Sequence, residues 1–194
     1  MSIDLPAQLV GLLATVFSVS SVVMKCDRRL RLAAATGQAT WTLHFWMLGA
    51  PTTAAICVLT CSRQLSSLAT PRMSPFAQHA LTGFFYVAFT VAAVITWQGW
   101  LSLLPWACAM LCNFAYGSLQ GTAMRKTLRV ADGLALANGG VLGSIGAVIT
   151  ATLAIVLNSL TILKLEGREV TLPARLRTRL LRWPRLPRLP LFVR

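Results

Sequence analysis

Apolar stretches of roughly 20 residues follow one another along most of this chain, separated by short basic or Gly/Pro-containing breaks. That length is what an α-helix needs to cross the hydrocarbon of a bilayer, and lipid leaves no other way to pair every backbone group short of a closed barrel. The first stretch runs from Leu5 to about Met24 and is followed by a basic loop, Lys25 to Arg31. The second spans about Leu32 to Leu48, turns at Gly49-Ala50-Pro51, and leads into a third from Thr52 to near Leu68. A loop with Thr70, Pro71, Arg72, Ser74 and Pro75 precedes a fourth, about Phe76 to Thr96, and Trp97-Gln98-Gly99-Trp100 makes the next turn with tryptophans of interfacial type. The fifth runs from Leu101 to about Leu119, the sixth from about Thr127 to Ala137, and the seventh from Ser144 to Leu163. The expected fold class is therefore all-α, a polytopic transmembrane bundle of about seven spans.

Charge fixes the expected orientation. Lys and Arg outnumber Asp and Glu by 18 to 5, a balance that in a soluble protein suggests nucleic acid. With a mean hydropathy of +0.66 and the basic residues gathered between apolar runs and in the tail, it reads here as the cytoplasmic bias of a membrane protein, with no nucleic-acid partner. Seven spans with the N-terminus outside place all 18 basic residues on the inner side. The sixth span is the shortest, because Arg125, Lys126, Arg129 and Asp132 interrupt it; omitting it would put nine basic residues outside, so it is retained, either with Arg129 and Asp132 paired at i,i+3 spacing or shortened and tilted. The first span carries Asp4 before it and Lys25, Arg28, Arg29 and Arg31 after it, which suits an uncleaved anchor rather than a signal peptide.

The domain division is a bundle over residues 1–166 and a basic tail over 167–194, where Arg175, Arg177, Arg179, Arg182, Arg185 and Arg188 alternate with Leu and three prolines break any helix. Such a tail either sits solvated in the cytoplasm or adsorbs to anionic lipid. Within the bundle, seven spans divide as three, one and three: a first repeat over about 5–69, a linker helix over about 76–96 and a second repeat over about 100–164. Arg28-Arg29-Leu30-Arg31 precedes the second span as Arg125 to Arg129 precedes the sixth, and Leu48-Gly49 ends the second as Leu142-Gly143 follows the sixth. The two repeats are expected to be parallel, related by an axis along the membrane normal.

Several short motifs occur in an order that resembles the bacterial inner-membrane YgjV family. They are Ala7-Gln8-Leu9-Val10-Gly11 opening the first span, Arg28-Arg29 after it, His44-Phe45-Trp46-Met47-Leu48-Gly49 closing the second, then Arg63, Leu103-Leu104-Pro105, Gly143-Ser144-Ile145-Gly146, Asn158 and Lys164. Thr60 and Thr161 depart from the family pattern, and the fourth span and the tail have no counterpart in it. The resemblance implies a bacterial inner (plasma) membrane location and a layout similar to the sugar-transporter and PQ-loop class, hence a small solute passing between two three-helix halves. The Pro-Gln dipeptide of that class is missing, since Pro6 and Gln8 are separated by Ala7 and Pro105 is followed by Trp106.

Polar side chains inside spans are costly and face either a cavity or another helix. His44, Asn113, Asn138 and Asn158 are the candidate substrate-binding residues, with His44 opposite Asn138 when Gly49 is aligned with Gly143; interhelical hydrogen bonding is the competing account of each. Cys57 and Cys61, like Cys108 and Cys112, lie one turn apart on one helix face and are expected, with Cys26, to be free thiols that let helices pack rather than metal ligands or disulfides. Gly139, Gly140, Gly143 and Gly146 follow a helix with no preceding strand and suit close packing better than phosphate binding. No span holds a carboxylate pair, Asp132 stands alone, and neither an enzymatic centre nor a cofactor is expected. Two functions remain: a carrier for a small solute of unspecified kind, or a membrane scaffold or accessory subunit without transport activity. The oligomeric state is not legible.

Overall fold

A computed structural model describes residues 5–23, 27–69, 73–119 and 121–166; the tail and Cys26 lie outside the described residues. Seven α-helices, and no strand among the described residues, make up the fold: α1 (Leu5–Val23), α2 (Asp27–Met47), α3 (Pro51–Ser66), α4 (Pro75–Ile95), α5 (Leu103–Ser118), α6 (Gly121–Val141) and α7 (Ile145–Leu165), with a short 3-10 turn, Trp100–Ser102, leading into α5. Two segments, α4 and Ile145–Leu163 of α7, are long and apolar enough by themselves to cross a membrane, and Leu5–Ser21 is a shorter apolar helix. The other helices miss that standard for physical reasons. Both α3 and α5 have 16 residues, about 24 Å at 1.5 Å per residue against a hydrocarbon thickness of about 30 Å. Both α2 and α6 carry cations in their first turns.

The last point corrects the sequence reading. Residues 27–31 and 125–129 are not loops before the second and sixth spans but lie in the opening turns of α2 and α6, which makes α6 21 residues long instead of a short stub from Thr127; Lys25 lies outside the described residues. Arg and Lys are good helix formers, and their long stems reach an interface while the backbone stays helical.

Helix ends follow local chemistry. Pro51 and Pro75 occupy the first turns of α3 and α4, where the missing N–H costs nothing, and Ser74 caps α4 by accepting from the Ala77 N–H at 3.2 Å. The α2–α3 and α6–α7 turns share one geometry. Gly49 and Gly143, 94 positions apart, take φ of +69° and +65°, the left-handed conformation that ends a helix at least cost in a glycine. Around Gly49 the Ala50 N–H donates to the Phe45 carbonyl at 2.9 Å and the Gly49 N–H to that of Trp46 at 3.0 Å; around Gly143 the Ser144 N–H donates to Gly139 at 2.8 Å and Gly143 to Gly140 at 3.2 Å.

The first three helices pack in sequence, α1 on α2 and α2 on α3, as α5 does on α6 and α6 on α7; α1 also packs on α7, and α5 on α3. Helix α4 lies against α3 and α5, where Phe85 and Phe89 bury between Ile56 and Ala109. A second core of Ala14, Trp41, Phe45, Ala50, Ala54 and Cys57 receives Leu142 from the α6–α7 turn and Ala147 from α7. Small residues dominate what is buried, while Phe84, Val87, Val94 and Ile95 of α4 and Leu5, Leu9 and Val16 of α1 face outward, the pattern of helices that approach closely and leave their large apolar groups to lipid.

Candidate functional site

At the end of the bundle that carries the α2–α3 and α6–α7 turns, α1, α2 and α7 meet around His44, which is fully buried. Its Nδ1 lies 2.7 Å from the Ala7 carbonyl oxygen and its Nε2 2.6 Å from Ser144 Oγ. A carbonyl only accepts, so Nδ1 carries the hydrogen and Nε2 of the neutral ring accepts from the Ser144 hydroxyl; the tautomer follows from the partners. Ser144 Oγ in turn accepts from the Ala147 N–H at 3.2 Å, capping α7. Every polar atom of the imidazole is thereby satisfied without a charge. Trp41 and Phe45 flank the ring with centroids 5.3 and 5.0 Å away.

The backbone is fitted to this ring. A Cβ on Gly11 would lie 2.7 Å from His44 Cε1, and one on Gly146 would lie 2.6 Å from the Gly11 carbonyl carbon and oxygen, so α1 and α7 touch main chain to main chain. Gln8 clasps the α6–α7 turn by donating from Nε2 to the Gly143 carbonyl at 2.8 Å while its Oε1 accepts from the Ile145 N–H at 3.0 Å. The Thr15 hydroxyl lies within donating distance of the Gly11 and Gly146 carbonyls and accepts from Thr150 at 3.0 Å.

The other three candidates sit elsewhere. Asn138 on α6 donates to Thr53 Oγ1 on α3 at 3.4 Å. Asn113 on α5 donates to the Thr82 carbonyl on α4 at 3.1 Å, and its buried Oδ1 has no partner among the described residues. Asn158 on α7 accepts from Arg125 Nη1 at 3.1 Å and donates from Nδ2 to Asp132 Oδ2 at 2.8 Å. No hydrogen bond joins one of the four candidates to another. The expected Arg129–Asp132 pair does not form: the Asp132 carboxylate turns to α7, and among the described residues the ion pair is Lys126 with Glu166 at 2.9 Å.

Among the described residues, the hydrogen bonds that join α1, α2 and α3 to the chain from Ser102 onward have a common location. Gln8 to Gly143 and Ile145, His44 to Ser144, Thr15 to Gly146 and Thr150, Thr53 to Asn138 and Thr52 to Ser102 all lie in the part of the bundle near the α2–α3 and α6–α7 turns. Toward the opposite end no such bond occurs among the described residues, and ionisable groups gather there instead: Arg63 on α3 lies in electrostatic range of Cys112 and Tyr116 on α5 and Tyr86 on α4. Sequence reading missed Gln8, Thr15, Ser144, Arg125 and Asp132 as parts of this network. Gln8 and Ser144 stand in quoted motifs, but nothing in the order of residues says that one reaches the other.

Cys57, Cys61, Cys108 and Cys112 are free, and Cys61 donates to the Ala35 carbonyl at 3.3 Å. The described residues contain no group of three or more His, Cys, Asp or Glu placed to hold a metal ion. No curated protein and no solved structure matches the chain significantly. A family model, Imp-YgjV, described as bacterial inner membrane protein, matches residues 5–169, a span that takes in all seven helices and the His44 junction. The chain belongs to the Imp-YgjV family of bacterial inner membrane proteins.

Proposed function

We propose that this protein is a seven-span carrier for a small solute, built from two parallel three-helix halves, α1 to α3 and α5 to α7, with α4 as linker, its N-terminus outside and its C-terminus in the cytoplasm. One observation carries the reading: among the described residues, the hydrogen bonds between the halves lie in the part of the interface nearer the α2–α3 and α6–α7 turns. A scaffold gains from bonding its halves along their whole length, whereas alternating access needs a seal at one end that can be exchanged for a seal at the other. The matching turns at Gly49 and Gly143 and the matching contacts of α1 with α7 and α3 with α5 support two comparable halves. The positive-inside rule supports an outward-facing sealed end, since the opening turns of α2 and α6 hold the cations.

On this reading His44 belongs to the outer seal, and Asn158 to the unsealed half where a solute arriving from the cytoplasm would meet polar groups. The test is uptake by proteoliposomes across a panel of small polar solutes, each compared with empty vesicles and with a protein whose outer seal is locked by a disulfide between Gln8→Cys and Ile145→Cys. Accumulation of at least one solute, abolished by the lock and restored by reductant, is the expected result. Uptake indifferent to the lock, or none across the panel, would leave the scaffold reading as the better one.

A further inference from the structure

Arg63 is a guanidinium inside the bundle to which the carrier reading gives no role. It is half-buried on α3, three residues before Ser66, and among the described residues its side chain has neither an ion pair nor a hydrogen bond. The carboxylates of the second half are engaged elsewhere, Asp132 with Asn158 and Glu166 with Lys126. An arginine that only sought lipid headgroups would snorkel to the nearer end of its helix. The Cα–Cβ bond of a helical residue tilts toward the helix N-terminus, which for Arg63 is the Pro51 end, away from Ser66. The groups in its electrostatic range agree with that direction: Cys112 and Tyr116 on α5, and Tyr86 on α4. Tyr86 lies 11 residues from Pro75 and 9 from Ile95, about 16 and 14 Å at 1.5 Å per residue, close to the middle of its helix.

Tyr116 gives the arrangement its shape. It is 58% exposed, yet it lies in electrostatic range of Arg63 from α3 and of Asp132 and Arg125 from α6. A ring that is accessible while charged groups of two other helices surround it lines an opening between those helices rather than a face turned to lipid. Two guanidiniums and one carboxylate leave an excess of one positive charge around it. Asp132 and Arg125 are tied to each other through the Asn158 amide, so the excess resides on Arg63. A lone charge within a span persists where a partner or a ligand offsets its desolvation. The fork of a guanidinium matches the paired oxygens of a carboxylate or phosphate, and a phenol O–H adds a further donor. We propose that Arg63, with the Tyr116 hydroxyl beside it, binds the carboxylate or phosphate group of a soluble anion, and that the carried solute is therefore anionic. The identity of the solute rests on the carrier reading; the binding of the anion does not.

Modification of arginines by phenylglyoxal, read peptide by peptide by mass spectrometry on the full chain in maltoside micelles, reports the occupancy of this residue without any uptake. Inorganic phosphate or succinate, each compared with chloride at equal ionic strength, should slow the modification of Arg63 severalfold and leave Arg129, exposed on α6, unchanged. In Tyr116→Phe the concentration that protects should rise about tenfold, the worth of one charge-assisted hydrogen bond. Phosphatidylglycerol added to the micelles tests a lipid headgroup as the occupant instead. Protection by phosphatidylglycerol alone, protection by none of the three, or equal protection in the wild type and Tyr116→Phe would overturn the proposal. Protection by phosphate or succinate without uptake of any anion by proteoliposomes would overturn the carrier reading and leave the anion site standing.

Discussion

Replacing Gly146 by alanine puts one methyl group at the tightest point between the halves. The added Cβ would lie 2.6 Å from the Gly11 carbonyl carbon and oxygen, where ordinary contact begins at 3.4 Å. The obstacle is main chain on a helix, so no rotamer change relieves it, and α1 and α7 must part by about 0.8 Å. Such a shift stretches the Thr15–Gly146 contact from 3.1 Å and the Gln8–Gly143 bond from 2.8 Å to the limit of hydrogen bonding or beyond it. Overpacking of this kind costs about 1–3 kcal/mol, and each weakened bond adds about 1 kcal/mol. Together they disfavour the sealed arrangement by roughly 3–5 kcal/mol, about 150- to 5,000-fold in its equilibrium. Gly140→Ala is the control, because nothing lies within 4 Å of its added methyl and alanine suits a helix interior better than glycine. The thermal unfolding midpoint in detergent should fall by about 6–20 °C for Gly146→Ala and hold or rise for Gly140→Ala. Equal midpoints for the two variants would refute the account of a main-chain contact between the halves.

Ser144→Ala removes both the α7 cap and the partner of His44 Nε2, and should cost about 2–4 kcal/mol in the same melt, against little for Ser62→Ala on an exposed face. Asn113→Leu should be nearly neutral, within about 1 kcal/mol, since it gives up one hydrogen bond but also removes a buried acceptor without a partner; a loss above 3 kcal/mol would mean that Oδ1 holds something essential. Reporter fusions after Gly49 and after Gly143 should read as external and one after Ser118 as cytoplasmic, and an internal signal after Gly143 would remove α6 as a span.

Much of the fold was legible because lipid leaves a chain few choices. The succession of apolar runs placed all seven helices in order, and the Leu-Gly pairs marked the two turns that share a geometry. The boundary of α6 was not, since Arg125, Lys126 and Arg129 read as loop residues by hydropathy while their backbone preference is helical. The site was half legible. His44, Asn113, Asn138 and Asn158 stood out as polar groups in apolar runs, yet their partners are backbone carbonyls or small hydroxyls and amides, such as the Ala7 carbonyl and Ser144, that no composition marks. Asp132 read as solitary because its neighbour Asn158 lies 26 positions away on the next helix.

The central claim is that two halves move against each other about a seal at one end, and electron–electron distance measurements between nitroxide labels address it without knowledge of the solute. In a cysteine-free background, one pair sits at the sealed end, at Met47 and Val141, and a second at the opposite end, at Ser62 and Ser118, all partly or well exposed. The account predicts a narrow distribution for the first pair in the unmodified protein, and in Gly146→Ala a second population that is longer at the sealed end and shorter at the other. Distances that stay single at both ends, or that lengthen together, would contradict it.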